Sequence, residues 1–559
     1  MLFNSLSFFA FFAIVYVLYR LLPYRGQNGL LLVAGYFFYG CWDVRFLYLI
    51  AFSTTIDFLI GLMLDRGSVP AIERIKSSLF LISAALFCLC INWRVIHVSF
   101  FPFSFSCDSY ALWPQSLLGP SVLIATILAV LAGNLVYPFL IRFSQSVRRR
   151  LFIFLTVFVN LSFLGFFKYF NFFIDSATST LTALGYHGEL FHLNVLLPVG
   201  ISFYTFQSLS YTIDIYRGVM RATDRLENFA LFVSYFPPLV AGPIERAKHL
   251  LPQLLKPRTI ELEQSLQGLF LILLGLFKKC AIADGIAPCV NAVYNCWHPV
   301  PASDIIFSTV LFAVQIYCDF SGYTDIARGV SKLLGIELIL NFDLPYFSQN
   351  PSEFWRRWHI SLSSWLRDYL YIPLGGNRGS TAKTYRNLMI TMILGGLWHG
   401  AAWNYVLWGT YQGLLLCVHR PFAKAPKLSE LAEIRLQPRA RVPSSMAAIF
   451  RIMIFFVFCC YGWLLFRATS LHQIVLFTLT IFGLGPKIGR SSVLPHLASA
   501  AAIGIPVLFL LHLFEFRAKR PDFHVTWYRP VRGALYATLI VIVLIGLKNA
   551  AAQFIYFQF

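Results

Sequence analysis

The feature that most constrains this chain is the recurrence of long apolar stretches along nearly its whole length. The first runs from Phe3 to Tyr19 with no charged side chain, and others follow at 28–42, 46–64, 78–92, 119–142, 151–173 and 197–216. More follow at 266–283, 402–418, 448–466, 497–515 and 533–551, while 474–484 is too short to span. Crossing the hydrocarbon core of a bilayer takes about 20 apolar residues in a helix, so the shorter stretches are expected to tilt or half-span. In lipid every backbone N–H and C=O must find its partner inside the protein, which a helix provides within one segment. The expected fold is therefore all-α, a polytopic integral membrane protein with about 11–13 spanning or re-entrant helices. Charged residues make up 13% of the chain, about half the share usual in soluble domains. No hydrophilic block is large enough to fold separately, so a single membrane domain over 1–559 is expected. It comprises N-terminal helices (1–196), a central core (197–420) and C-terminal helices (421–559).

Loop charge gives the orientation. Arg20 and Arg25, then Arg66, Arg74 and Lys76, then Arg142 and Arg148 to Arg150, then Arg217, Arg221 and Arg225 occupy alternate loops. Between them Asp175–Leu196 has no Lys or Arg, and Trp93–Ser116 has only Arg94. By the positive-inside rule the basic loops face the cytoplasm and both termini lie outside. The net charge of +20 is a topology signal, dispersed over loops, and a nucleic-acid partner is not expected. No small-residue cleavage site follows Tyr19, so the first stretch reads as a spanning helix. The eleven cysteines form no metal-ligand or disulfide spacing, and no bound metal is expected.

Polar chemistry concentrates between Asn350 and Trp408. Asn350 is placed as an N-cap, Pro351 suits the first helical position and Glu353 completes a capping box. Steps of three and four put Arg356, His359, Ser363 and Arg367 on one expected helical face. Trp355, Trp358, Leu362 and Trp365 form an apolar face, and Pro373 with Gly375 and Gly376 end the helix. From Leu388 to Trp408 the only ionisable group is His399, after Trp398 and bordered by Gly395, Gly396 and Gly400. An ionisable group at membrane depth marks a functional site by default. Upstream, Leu231–Leu255 is broken by prolines and reads as re-entrant or interfacial backbone. Asp319 and Asp325 are expected to pair with arginines of the following helix or to cap a break.

The long motifs are GISFYTFQSLSYTIDIYRG (200–218), LVAGPIER (239–246), YCDFSGYTDIARG (317–329), NPSEFWRRWHISLSSWLRDYLYIPLGGNRG (350–379) and NLMITMILGGLWHGAAWNYVLWG (387–409). Shorter ones are GLFKKCAIAD (275–284), GWLLFRA (462–468) and FIYFQF (554–559). In these the chain resembles the membrane-bound O-acyltransferase family, in the branch of alginate O-acetylation membrane proteins, with the teichoic-acid D-alanylation proteins as cousins. The match is tight from about Leu197 to Gly413, whereas 65–150 has no counterpart in that branch.

The resemblance implies helices around a central funnel or tunnel in the bacterial inner membrane. It also implies transfer of an acetyl group from acetyl-CoA toward an exported polysaccharide such as alginate, through a periplasmic esterase-like partner. It assigns the catalytic histidine to His399 in the WHG motif and a second, orienting histidine to His359. Chemically, His399 is a neutral base able to take a hydroxyl proton. Trp398 and Ser363 lie beside these histidines in sequence. Arg356, Arg357, Arg367, Arg378, Lys383 and Arg386 cluster around the polar helix and its following loop, where guanidinium forks suit donor phosphates or anionic lipid. No G-x-S-x-G elbow is present, which argues against an acyl-serine. The alternatives are D-alanyl transfer from a carrier protein, a transporter, or a scaffold of a polysaccharide-export complex; a transporter should show two similar halves, which are not found.

Overall fold

The computed structural model describes residues 1–100, 103–107, 116–186, 192–193, 196–296, 298–422, 446–486, 493–518, 520 and 522–547. The C-terminal motif 554–559 and most of the basic stretch between Arg420 and Arg451 lie outside them. Apart from one short hairpin the described chain is helical, and seven of its described helices are long and apolar enough to cross a membrane. The protein is a multi-pass membrane protein. It divides into two compact units, Met1–Val240 with Ile244–Thr259, and Ala241–Pro243 with Ile260–Phe559.

The first unit contains α1 (Leu6–Leu21), α2 (Tyr24–Gly40), α3 (Arg45–Asp65), α4 (Ala71–Leu89), α5 (Leu118–Leu140), α6 (Gln145–Leu164), α7 (Phe170–Ala183), α8 (Ile201–Tyr216), α9 (Leu226–Ser234), α10 (Phe236–Leu239) and α11 (Ala247–Leu254). Its core is α3, packed by α4, α6, α8 and α9. A carboxylate this deep is tolerated only with its lone pairs filled. Asp57 of α3 meets that condition, accepting from Thr156 Oγ1 (2.5 Å), Asn160 Nδ2 (3.1 and 3.2 Å) and Ser53 Oγ (3.3 Å). The stretch 65–150 holds α4, a hairpin (β1, Ile96–Phe100; β2, Phe103–Cys107) and α5. α5 packs on α4 and leaves most of its apolar surface exposed, as suits a helix that faces lipid. α6 continues through a π-helical turn at Gly165–Tyr169 into α7, so Asp175 lies in a helix rather than in the loop expected there.

The second unit contains α12 (Leu262–Leu276), α13 (Asp284–Tyr294), α14 (Ala302–Leu333), α15 (Pro351–Arg357), α16 (Ile360–Leu366), α17 (Thr381–His399), α18 (Trp403–His419), α19 (Met446–Arg467), α20 (Leu471–Ile481), α21 (Ser499–Ala518) and α22 (Arg529–Gly546). Its long axis is α14, mostly buried against α12, α13 and α19. A Cβ on Gly322 would sit 2.8 Å from the carbonyl oxygen of Gly275, and one on Gly329 would sit 2.5 Å from that of Gly268. These glycine pairs let α12 and α14 touch backbone to backbone, the close packing that drives helix association in lipid.

After α12 the helix widens into a π-helical turn, Phe277–Ala283, which buries both Lys278 and Lys279. Lys278 pairs with Asp325 (2.8 Å), and Lys279 with Asp284 (2.8 Å) and Asp319 (2.7 Å). The acids of α14 therefore meet lysines of the preceding helix. Arg328, one turn beyond Asp325 on α14 itself, adds a looser contact at 3.8 Å. This corrects the expected pairing with the following helix. The wider turn is the reason, since it brings successive lysines inward, and buried charges persist only when paired this closely.

Candidate active site

All the residues of the candidate site belong to the second unit. Asn350 caps α15 as its sequence predicts, accepting from the Glu353 backbone N–H at 2.9 Å, while Glu353 reaches back to the N–H of Gln349, also at 2.9 Å. The helix then breaks. His359 has φ +44°, and it and Leu344 are the only described non-glycine residues in the left-handed region. The expected single helical face through Arg356, His359, Ser363 and Arg367 is thus corrected to two short helices, α15 and α16, hinged at His359.

Tertiary bonds hold the hinge. The segment 341–343 receives the Ile360 N–H on the Asn341 carbonyl (2.9 Å) and donates the Asp343 N–H to the Arg357 carbonyl (3.0 Å). Arg357 also donates to the Asp343 carbonyl (3.2 Å) and pairs with Glu353 (2.9 Å), so its charge is met inside the protein. Ser363 Oγ donates to the Trp358 carbonyl (3.1 Å), closing the first turn after the break. His359 itself is fully buried, with Phe320 edge-on (4.7 Å between ring centres) and Phe342 alongside (6.4 Å). Its Nδ1 lies 3.2 Å from Asn341 Oδ1. Burial pushes the imidazole pKa down to about 3, so the ring is neutral at physiological pH.

His399 is the last residue of α17. α17 and α18 form a tight antiparallel pair because Gly396 and Gly409 face each other: a Cβ on Gly396 would lie 2.2 Å from the Tyr405 carbonyl oxygen, and one on Gly409 would lie 2.4 Å from that of Met392. The pairing packs Trp408 edge-on to His399 (5.2 Å), and Phe466 of α19 closes another side (5.4 Å). Asn404 Nδ2 anchors the end of α19 on the carbonyls of Phe466 (3.3 Å) and Ala468 (3.0 Å). As the last residue of α17, His399 lies where the helix carboxyl end places partial negative charge, an environment that favours a protonated over a neutral imidazole.

The two histidines come together. Their ring centres are 6.4 Å apart, and Trp398 stands edge-on to both, 5.9 Å from His359 and 5.0 Å from His399. Trp463 bridges Trp358 (4.8 Å) and Trp408 (6.2 Å) behind them. The result is two imidazoles 6.4 Å apart, enclosed by the rings of Phe320, Phe342, Trp398, Trp408 and Phe466.

The cations are distributed differently. Arg378, Lys383 and Arg386 are exposed at and before the opposite end of α17, where Ser380 Oγ caps the Lys383 N–H at 3.3 Å. Arg356 is exposed, and Arg367 is exposed and paired with its neighbour Asp368 (2.7 Å). Sequence reasoning did not single out Asn341 or Phe342, which lie in the segment between α14 and α15, and it reached Trp463 and Phe466 only as part of the GWLLFRA motif (462–468), with no periodicity to tie any of them to the histidines.

Comparison with known proteins identifies the family. Residues 223–467, which include both histidines, match the profile of the membrane-bound O-acyltransferase family. A probable alginate O-acetylase of Pseudomonas putida is 34% identical over 580 aligned positions, covering 100% of both chains. A peptidoglycan O-acetyltransferase of Helicobacter pylori is 34% identical over 62% of this chain and 68% of its own length. A teichoic acid D-alanyltransferase of Bacillus subtilis is 28% identical over 50% of this chain and 71% of its own. With a family-profile match over 223–467 and 34% identity to the Pseudomonas putida protein along both full lengths, this chain belongs to the membrane-bound O-acyltransferase family.

Proposed function

We propose that this O-acyltransferase takes an acetyl group from acetyl-CoA at the cytoplasmic face of the bacterial inner membrane. It passes the group on for O-acetylation of an exported polysaccharide such as alginate, through a periplasmic esterase-like partner. The observation that carries the reading is the 6.4 Å approach of His359 and His399 inside a chamber lined by tryptophan and phenylalanine. In that chamber His399 takes the proton of the acceptor hydroxyl as its oxygen attacks the thioester carbonyl carbon. The carbon–sulfur bond breaks, the new ester forms, and the departing thiolate collects the proton from His399. His359 orients the thioester or the acceptor. Exclusion of water protects the acyl group from hydrolysis and strengthens each polar contact made inside. The acetyl reading is favoured over D-alanyl transfer because the acetylase similarity spans the whole chain, whereas the D-alanyltransferase similarity spans half.

The test is transfer of radiolabelled acetyl from acetyl-CoA in membranes. His399→Gln should accumulate normally, still bind donor, and lose about a hundred- to ten-thousand-fold in turnover, the usual cost of losing a general base. His359→Gln should affect KM as much as turnover. If His399→Gln keeps more than about a tenth of wild-type turnover while His359→Gln is dead, the roles are exchanged; if both stay active, the reading is wrong. Detergent-solubilised chain alone should load or hydrolyse donor and leave polymer unmodified. Full polymer acetylation by the isolated chain would remove the partner from the proposal.

A further inference from the structure

Asn341 is 1% exposed and directs its side chain at the hinge that carries His359. Its Oδ1 lies 3.2 Å from the backbone N of Ser361, 2.9 Å from Ser361 Oγ and 3.2 Å from His359 Nδ1. A backbone N–H can only donate, so the Ser361 contact fixes which end of the Asn341 amide faces the hinge: it is the oxygen. A carbonyl oxygen can only accept, so the His359 nitrogen beside it must bring a proton. Were Nδ1 bare, its lone pair would face the Asn341 oxygen at 3.2 Å in a buried site, with the Ser361 hydroxyl, at 3.4 Å, as a nearby group able to donate to it. The Ser361 hydroxyl does not change this, because its closer acceptor is Asn341 Oδ1 at 2.9 Å, against 3.4 Å to Nδ1.

We infer that Asn341 is a positioning residue for acyl transfer: its oxygen, locked by the Ser361 backbone, holds His359 with the proton on Nδ1 and leaves Nε2 as the nitrogen that accepts, an inference whose catalytic part rests on His359 taking part in the reaction. The same residue fixes the backbone, since the Asn341 carbonyl receives the Ile360 N–H at 2.9 Å just after the left-handed residue. One asparagine thus sets both where the ring stands and which of its nitrogens can accept a proton or a hydrogen bond. The principle is the one that governs histidines elsewhere: the partner of one ring nitrogen decides the chemistry of the other.

Two measurements test this. In full-length protein labelled with 15N-histidine and reconstituted in lipid, twelve histidines contribute, and subtraction of a His359→Gln sample isolates one. The expected signal is a neutral ring protonated at Nδ1; a ring protonated at Nε2 overturns the assignment, whatever the activity. The second measurement compares Asn341→Asp, which keeps an acceptor oxygen in place, with Asn341→Leu, which keeps the branched shape without any hydrogen-bonding atom. Asn341→Asp should retain turnover within about tenfold of wild type. Asn341→Leu should lose about a hundredfold or more in kcat while donor KM moves less than about threefold, the split expected of an interaction felt in the transition state. Equal activity of the two variants, at equal abundance, overturns the positioning role. If Asn341→Leu fails to accumulate, the spectrum of the wild-type protein still decides. Full activity of His359→Gln would instead sink the catalytic reading of His359 and leave the tautomer to the spectrum.

Discussion

Arg386 and His399 are carried near opposite ends of one helix, α17, about 20 Å apart along its axis. The exposed cations and the buried imidazole are therefore held on a single helix, which the proposed donor, with phosphates at one end and a thioester at the other, would have to span. Replacing Arg378, Lys383 and Arg386 together should raise the KM for acetyl-CoA several-fold and leave kcat little changed. The difference from wild type should shrink at high salt, where screening already removes part of the attraction. An unchanged KM would leave these residues as anchors for anionic lipid.

The contact of Gly396 with the α18 backbone gives a stability prediction. Gly396→Ala puts a methyl group 2.2 Å from the Tyr405 carbonyl oxygen, which only a shift of one helix can relieve. Overpacking of this kind costs about 1–3 kcal/mol. The variant should melt earlier in detergent than wild type and lose activity because Trp408 no longer seats against His399. Gly133→Ala on α5, with no atom within 4 Å of the added carbon, is the matched control and should melt as wild type.

Orientation is testable by cysteine labelling. In a background lacking reactive cysteines, Tyr186→Cys should react with an impermeant maleimide added outside intact cells. Ser146→Cys, beside the basic run Arg148–Arg150, should react only after permeabilisation. The reverse pattern would invert the topology.

His359 predicts how the fold responds to acid. Its pKa falls from 6.5 to about 3 on burial, so between those values the unfolded chain binds a proton that the folded chain does not. The stability from the neutral buried ring is complete above about pH 6.5 and is lost as pH falls toward 3, at up to about 1.4 kcal/mol per pH unit. Thermal midpoints measured from pH 7 to 4.5 should therefore drop more steeply for wild type than for His359→Gln. Parallel slopes would mean that the ring is charged within the fold.

The parts of this architecture that were legible in the sequence are those written in local patterns. Apolar runs located most of the helices, and the Asn350–Pro351–Glu353 capping box placed the start of α15 to the residue. The break at His359 was not legible, because no glycine or proline marks it; backbone bonds from Asn341 and Asp343, distant in sequence, impose it. The inward turn of Lys278 and Lys279 escaped for a related reason. Lysines at the close of an apolar run carry no local mark of burial, and only their pairing with Asp325 and Asp319 of α14 shows it. The histidines were visible singly, but their approach depends on the Gly396–Gly409 crossing and on α19, and no spacing in the chain encodes that.

The left-handed backbone at position 359 also narrows the ways in which this reaction can be lost over time. A β-branched or bulky aliphatic residue there would oppose the hinge as well as remove the imidazole, whereas asparagine accepts that conformation with little penalty and glycine with none. Descendants that abandon acyl transfer while keeping the fold should therefore carry asparagine or glycine at this place far more often than valine or leucine. Drift at His399, which ends a right-handed helix, faces no such filter. The two histidines would leave different fossils.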